Sequence, residues 1–167
     1  SQVSHNELAN LLGISRVNVE FYIDLLEKSF VIFHLESYSK NLRNELKKSR
    51  KYFFYDNGVL NAMLGNFNRP QNRSDTGMLW ENFCIAERVK SNTTLQRKVR
   101  HYFWRTYDGA EIDLVEESAE EFRAFEFKYG MKNKTQIPKS FSANYPVKEF
   151  NVVTPHSVHL LLKEGGL

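Results

Sequence analysis

The sequence predicts an α+β chain in two parts. The first is a winged helix-turn-helix, and the second is a small α/β core with a mixed sheet. Three observations predict this. Two short amphipathic stretches flank the turn Gly13-Ile14-Ser15, a helix-turn-helix pattern. The polar segment 66–76, with Pro70, is the strongest break in the chain. Beyond that break the periodicity runs helix, three strands, helix, strand, the order of a small mixed-sheet core.

Each element has a local reason. Ser4 with Glu7 three positions on forms a capping box for a first helix. Leu8, Leu11 and Leu12 form its apolar stripe, and Gly13 ends it. Ser15 caps a second helix that carries Val19, Tyr22, Ile23, Leu26 and Phe30 at helical spacing. The strand-like runs Val31–Leu35 and Lys51–Tyr55 bracket a basic loop, as a wing would. Asp56 caps a short helix through Val59, Leu60, Met63 and Leu64, ending at Gly65. The expected organisation is a winged helix over 1–65, a linker over 66–76 and an α/β domain over 77–167. Within the α/β domain a helix is expected near 77–90 and another near 135–144. Strands are expected near 101–106, 111–117, 122–129 and 149–153.

Composition sets the bounds. A chain of 167 residues with 41% apolar content can pack a core. A net charge of +3 is too small to argue for nucleic acid, so local patches must carry that case. No apolar run approaches the ~20 residues that cross a bilayer, so no membrane partner is expected. One cysteine, Cys84, excludes an internal disulfide and a cysteine-based zinc cluster. A cytoplasmic location is expected. The start Ser1-Gln2-Val3, without Met, is what a piece of a longer protein would show.

The sharpest chemical signal lies on two strands. Asp113 sits in Ala110–Val115, and Glu126 and Lys128 sit in Ala124–Tyr129. Residues two apart on a strand share a face, so Glu126 and Lys128 can act together and Asp113 can join them from the neighbouring strand. Glu81, on the preceding helix, is the expected fourth member, and Glu111 is a spare ligand. Phosphodiester hydrolysis needs an activated water and cover for negative charge. Asp113, Glu126 and Glu81 holding Mg2+ or Mn2+ would supply both, with Lys128 orienting water or neutralising phosphate. The plainer alternative is a cross-strand ion-pair set on a solvated face.

Nucleic-acid contact is expected from the first part. Arg16 and Asn18 lie near the start of the second helix, but Glu20, Asp24 and Glu27 follow, and phosphates repel them. The wing is richer in cations. Lys40, Arg43, Lys47, Lys48, Arg50 and Lys51 stand against Glu45. Such a loop suits sequence-independent contact with DNA phosphates. The acidic helix face suits a protein partner instead. Two histidines, His156 and His159, lack a third metal ligand pattern, and His34 and His101 read as packing or surface residues. Cys84 reads as a buried structural thiol, and Phe103, Trp104, Phe125, Phe127 and Phe150 read as core and sheet-face residues.

Several stretches together resemble one family. They are Leu8–Ser15, Tyr22–Lys28, Tyr55-Asp56-Asn57-Gly58, Leu79–Phe83 and, most specifically, Trp104–Asp113. They are similar to the C-terminal region, formally a domain of unknown function, of prokaryotic AAA-type ATPases. The resemblance covers nearly the whole chain. It implies a winged helix joined to a restriction-endonuclease-like, PD-(D/E)xK fold, following an ATPase module. It therefore implies that ATP binds in that preceding module. No Gly-x-x-x-x-Gly-Lys-Ser/Thr loop occurs in this sequence. Ile112 stands where the nuclease pattern often has Pro. The implied function is a DNA-interacting module with a nuclease-like metal site. The alternative is a non-catalytic interaction or regulatory domain with a degenerate nuclease fold. DNA, the ATPase module and a second copy of the chain are the expected partners.

Overall fold

Capping chemistry starts the chain as expected. In a computed structural model, which describes residues 4–40, 49–119, 121–130 and 136–162, α1 spans His5–Leu12 and α2 spans Arg16–Lys28. Ser4 accepts from the Glu7 backbone N–H, and the Glu7 carboxylate accepts from the Ser4 N–H at 2.8 Å. Gly13 ends α1 at φ 66°, a left-handed conformation that glycine adopts without strain. Ser15 caps α2 through the Asn18 N–H. The second helix stops two residues earlier than its apolar period. The Phe30 N–H donates to Glu27 O and the Val31 N–H to Leu26 O, which is a Schellman end. It holds Phe30 at φ 56°.

The apolar stripes of these helices are less buried than their spacing suggests. Ala9 is the buried residue of α1, and Val19 is that of α2. Leu11 is 81% exposed, and Leu12, Val17, Phe21, Tyr22 and Phe30 are exposed as well. Helical period identifies an apolar face, but it does not provide a surface to cover it.

One mixed sheet organises the rest. Its strands are β1 (Ile32–Ser37), β2 (Arg50–Phe54), β3 (Arg100–Arg105), β4 (Glu111–Ser118), β5 (Glu121–Phe127) and β6 (Val147–Val153). The order across the sheet is β2-β1-β3-β4-β5-β6. The β1–β3 and β5–β6 pairs are parallel, and the other neighbours are antiparallel. The hairpin expected to be a wing is therefore also the edge of the sheet that the later strands build. Segment 66–76 connects α3 (Asn57–Leu64), which Asp56 caps, to α4 (Thr76–Thr94). The expected helix near 135–144 is a single turn, α5 (Lys139–Ser142). A 3-10 segment, Pro155–Leu161, follows β6.

Two clusters of buried side chains make up the core. Phe33, Phe53, Ile85, Phe103, Leu114, Phe125 and Phe127 join α4 to the sheet. Trp104, Ile112, Val115, Phe122, Phe141 and Tyr145 form the second cluster, which includes α5. Polar clamps fix α4 in place. The Asn82 side-chain amide exchanges hydrogen bonds with the Phe54 backbone at 2.8 and 2.9 Å, as a neighbouring strand would. Further along α4, Arg88 makes a two-pronged contact with the Glu116 carboxylate at 2.7 and 2.8 Å. Arg88 also donates to the Leu161 carbonyl at 2.6 Å, while Asn92 donates to Glu116 at 2.5 Å. Burial pushes the Glu116 carboxyl up, but the hydrogen bonds and charge of Arg88 outweigh it and hold it below its ordinary range. His101, beside this pair, is pushed down by burial.

Candidate functional site

A bulge in β4 creates the setting of Asp113. Tyr102 pairs with Val115 and Trp104 pairs with Ile112. One β3 residue, Phe103, thus stands against two β4 residues, Asp113 and Leu114. Bulges of this kind re-aim side chains beside functional sites. On the other side, Leu114 pairs with Phe125, so the register carried one step further sets Asp113 opposite Glu126. Asp113 Oδ2 accepts from the Phe127 N–H at 2.8 Å.

Asp113 is 9% exposed. Burial pushes its pKa up to about 7, helped by the charges of Glu126 and Glu81 and opposed by the Phe127 N–H and by Lys128. Asp113 therefore feels Glu126, Glu81 and Lys128, the residues grouped with it in the sequence, and also the Phe127 N–H. Lys128 follows the end of β5 and donates to Glu126 at 2.5 Å. Burial would push its ammonium down, but the hydrogen bond and charge of Glu126, then Asp113 and Glu81, hold it above its ordinary value.

The N-terminal hairpin also reaches this site. Lys51 was expected on an exposed wing, but it is 7% exposed and lies inside. Its ammonium is hydrogen-bonded to Glu111, lies 3.6 Å from Glu81 and sits 5.2 Å over the Phe103 ring. Burial would push it down, but Glu81, Glu111 and Asp113 outweigh that and raise it. The correction has a plain cause. β2 pairs with β1 as the edge strand of the sheet, and the alternation that exposes Arg50 turns Lys51 inward. Glu111 is not a spare, because it takes both Lys51 and, at 3.6 Å, Arg105.

The remaining residues expected to contact DNA lie elsewhere. Arg16 is paired with Glu20 at 2.7 Å, and Arg50 lies 3.6 Å from Glu36. Asn18 is exposed on α2, where its N–H serves the Ser15 cap. Lys47 and Lys48 lie outside the described residues. Arg16 and Arg50 line a cleft of about 680 Å3 with His5, Glu20, Asp24, Glu27 and Tyr52. That lining mixes both signs of charge. The sequence reading also missed the Arg88–Glu116 pair.

The carboxylates provide hard oxygen donors, which suit Mg2+ or Mn2+. Their mutual repulsion, visible in the acidity of Asp113, would be relieved by a cation. In the present arrangement Glu126 holds Lys128 and Glu81 faces Lys51, and among the described residues no three such groups are gathered as a metal site. Cys84, fully buried, has its thiol pushed up by burial and by Asp113, Glu81 and Glu87. It is inert by that criterion.

Comparison with known proteins adds ancestry. Two uncharacterized proteins, one of Mycobacterium bovis and one of Mycobacterium tuberculosis, are each 28% identical over 124 residues. The match covers 73% of this chain and 27% of each relative, so the chain spans about a quarter of their length. No solved structure matches the chain. No helix among the described residues is long and apolar enough to cross a membrane. A model described as Domain of unknown function (DUF8612) matches residues 1–70. A second model matches residues 76–164, more than half of the chain. By that match the chain belongs to the family described as Domain of unknown function (DUF4143).

Proposed function

We propose that the chain is a DNA-interacting module, a winged helix joined to a PD-(D/E)xK-type sheet, with a divalent-metal-dependent phosphodiesterase site. One observation carries this reading. Asp113, opposite Glu126 on paired strands, is held near neutral acidity by burial and by Glu126 and Glu81. A structural carboxylate buried in a sheet more often carries a cation partner that lowers its pKa, as Glu116 does. Perturbed acidity of this kind, next to a lysine, is typical of functional sites.

In this reading Asp113 and Glu126 hold Mg2+ or Mn2+, and Glu81 supports them from α4. The metal, when bound, lowers the pKa of water and covers phosphate charge. Lys128 releases Glu126 and turns to the phosphate or the attacking water, where its ammonium offsets developing negative charge. The Phe127 N–H keeps the Asp113 carboxylate oriented. Arg50 and Arg16 contribute sequence-independent phosphate contacts, joined by Lys47 and Lys48. The larger protein to which such a region belongs is proposed to carry an ATPase module, where ATP binds.

The test is DNA incubated with Mn2+ and the wild-type protein, Asp113→Ala or Lys128→Ala. Cleavage by the wild type that falls about a hundredfold or more in both variants is expected. Equal cleavage in all three, or none on single-stranded, duplex or branched DNA, rejects the catalytic reading.

The exposed apolar side chains of the first two helices favour a second reading, a non-catalytic interaction domain. Val17, Phe21 and Leu25 recur every four residues on α2, and all three are exposed. Such a row marks a protein contact surface. If it mediates self-association, sedimentation velocity shows oligomers that Phe21→Glu/Leu25→Glu converts to monomers. A wild-type monomer at every concentration rejects self-association.

A further inference from the structure

The acidic site already holds one buried cation. Lys51 lies on β2, in the part of the chain that the sequence assigns to a separate unit, yet its ammonium is buried among Glu81, Glu111 and the Phe103 ring. The two cations of the site differ in freedom. The Lys128 side chain is 40% exposed and stands at the end of β5, so it can swing out to solvent. Lys51, with its side chain 9% exposed, lies on a strand paired with β1 and is held by Glu111 and Glu81.

The charges are arranged unevenly. Glu81 and Glu111 face Lys51, and Glu111 faces Arg105 as well. Glu126 is hydrogen-bonded to Lys128, whose charge also acts on Asp113, while Lys51 acts on Asp113 by its charge and makes its close contacts with Glu81 and Glu111. A divalent ion at the Glu81–Glu111 end would stand within a few ångströms of a fixed ammonium, in a setting too dry to screen the repulsion. An ion at the Asp113–Glu126 end has to displace Lys128, the more exposed of the two cations, and lies farther from the Lys51 contacts with Glu81 and Glu111.

We propose that Lys51 is a positioning residue that acts as a built-in cation. It occupies the place of a second metal, holds Glu81 on the site and restricts binding to one divalent ion at Asp113 and Glu126. This rests on the metal-site reading above, and it deepens that reading by fixing the stoichiometry and by making the N-terminal hairpin part of the site. Lys51 acts through Glu81 and is not assigned contact with the reacting phosphate.

The experiment is calorimetric titration of Mn2+ alone into the whole chain, checked by thermal shift. The proposal expects one equivalent for the wild type. Lys51→Met, which keeps the length of the side chain and loses its charge, is expected to take a second equivalent or to bind the first at least about tenfold tighter. Lys51→Arg, which keeps the charge, is expected to return to one equivalent, a rescue that mere packing would not give. If Lys51→Met fails to fold because Glu111 is left without its partner, Lys51→Gln, which keeps a neutral donor for Glu111 and loses the charge, answers the same question. Binding of one equivalent with unchanged affinity in the charge-removing variants overturns the role of Lys51 and leaves the metal site standing. Binding by neither wild type nor variants overturns both.

Discussion

Arg88→Met is expected to lower stability by about 3–5 kcal/mol, the range for removing one partner of a buried ion pair. The side chains of Arg88 and Glu116 are 2% and 1% exposed. Without the guanidinium, Glu116 keeps Asn92 as a donor but loses the charge that holds its carboxylate ionised. Leu161 O also loses its donor, which loosens the segment after β6. Met fills most of the vacated volume, so packing loss adds little. Chemical denaturation measures the loss. Arg88→Met/Glu116→Leu should recover much of it, since neither charge then remains buried. A single-variant loss below about 1 kcal/mol would show that the pair does not anchor α4. pH adds a check. Glu116 lies below its ordinary value, so its contribution is present above the unfolded carboxylate range and is lost as pH falls through its folded value.

The second expectation has the opposite sign. Asp113 is raised from 3.8 to about 7, so the folded chain binds a proton that the unfolded chain has already released over that interval. The stability it confers is fully present below about pH 4 and declines as pH rises towards 7. At pH 8 the buried carboxylate destabilises the chain by up to about 4 kcal/mol. Asp113→Asn keeps an acceptor for the Phe127 N–H and cannot ionise. It is expected to be more stable than the wild type at pH 8 and nearly equal at pH 4.5. The difference between the two proteins isolates this group from Glu116 and His101, which titrate in both. Parallel stability curves across that range would remove the evidence that Asp113 is held under electrostatic strain. Such strain is the usual companion of a functional carboxylate.

Different parts of this chain were legible to different degrees. The helix caps at Ser4, Ser15 and Asp56 depend on atoms within four residues of one another, and all three hold. Asp113, Glu126 and Lys128 were legible because strand alternation is also local, and Glu81 because it sits on a helix facing inward. Lys51 was misplaced for an equally physical reason. A lysine in a basic stretch looks solvated until β1 pairs with β3 and turns that strand into part of the common sheet. The Asp113 bulge was invisible too, since an extra residue in a ladder shows only against its partner strand.

Sequence alone settled the starts of the first three helices, the order of helices and strands after residue 76, and the residue types of the acidic site. These follow from short-range hydrogen bonding and from side-chain periodicity, which a chain carries with it wherever it folds. The tertiary structure decided which cations stand beside those acids, which apolar stripes find cover, and where the hairpin belongs. Those outcomes depend on pairing between strands more than sixty residues apart, such as β1 with β3. They also depend on the low-dielectric space that the pairing encloses, where the charges of Asp113 and Lys51 act on each other.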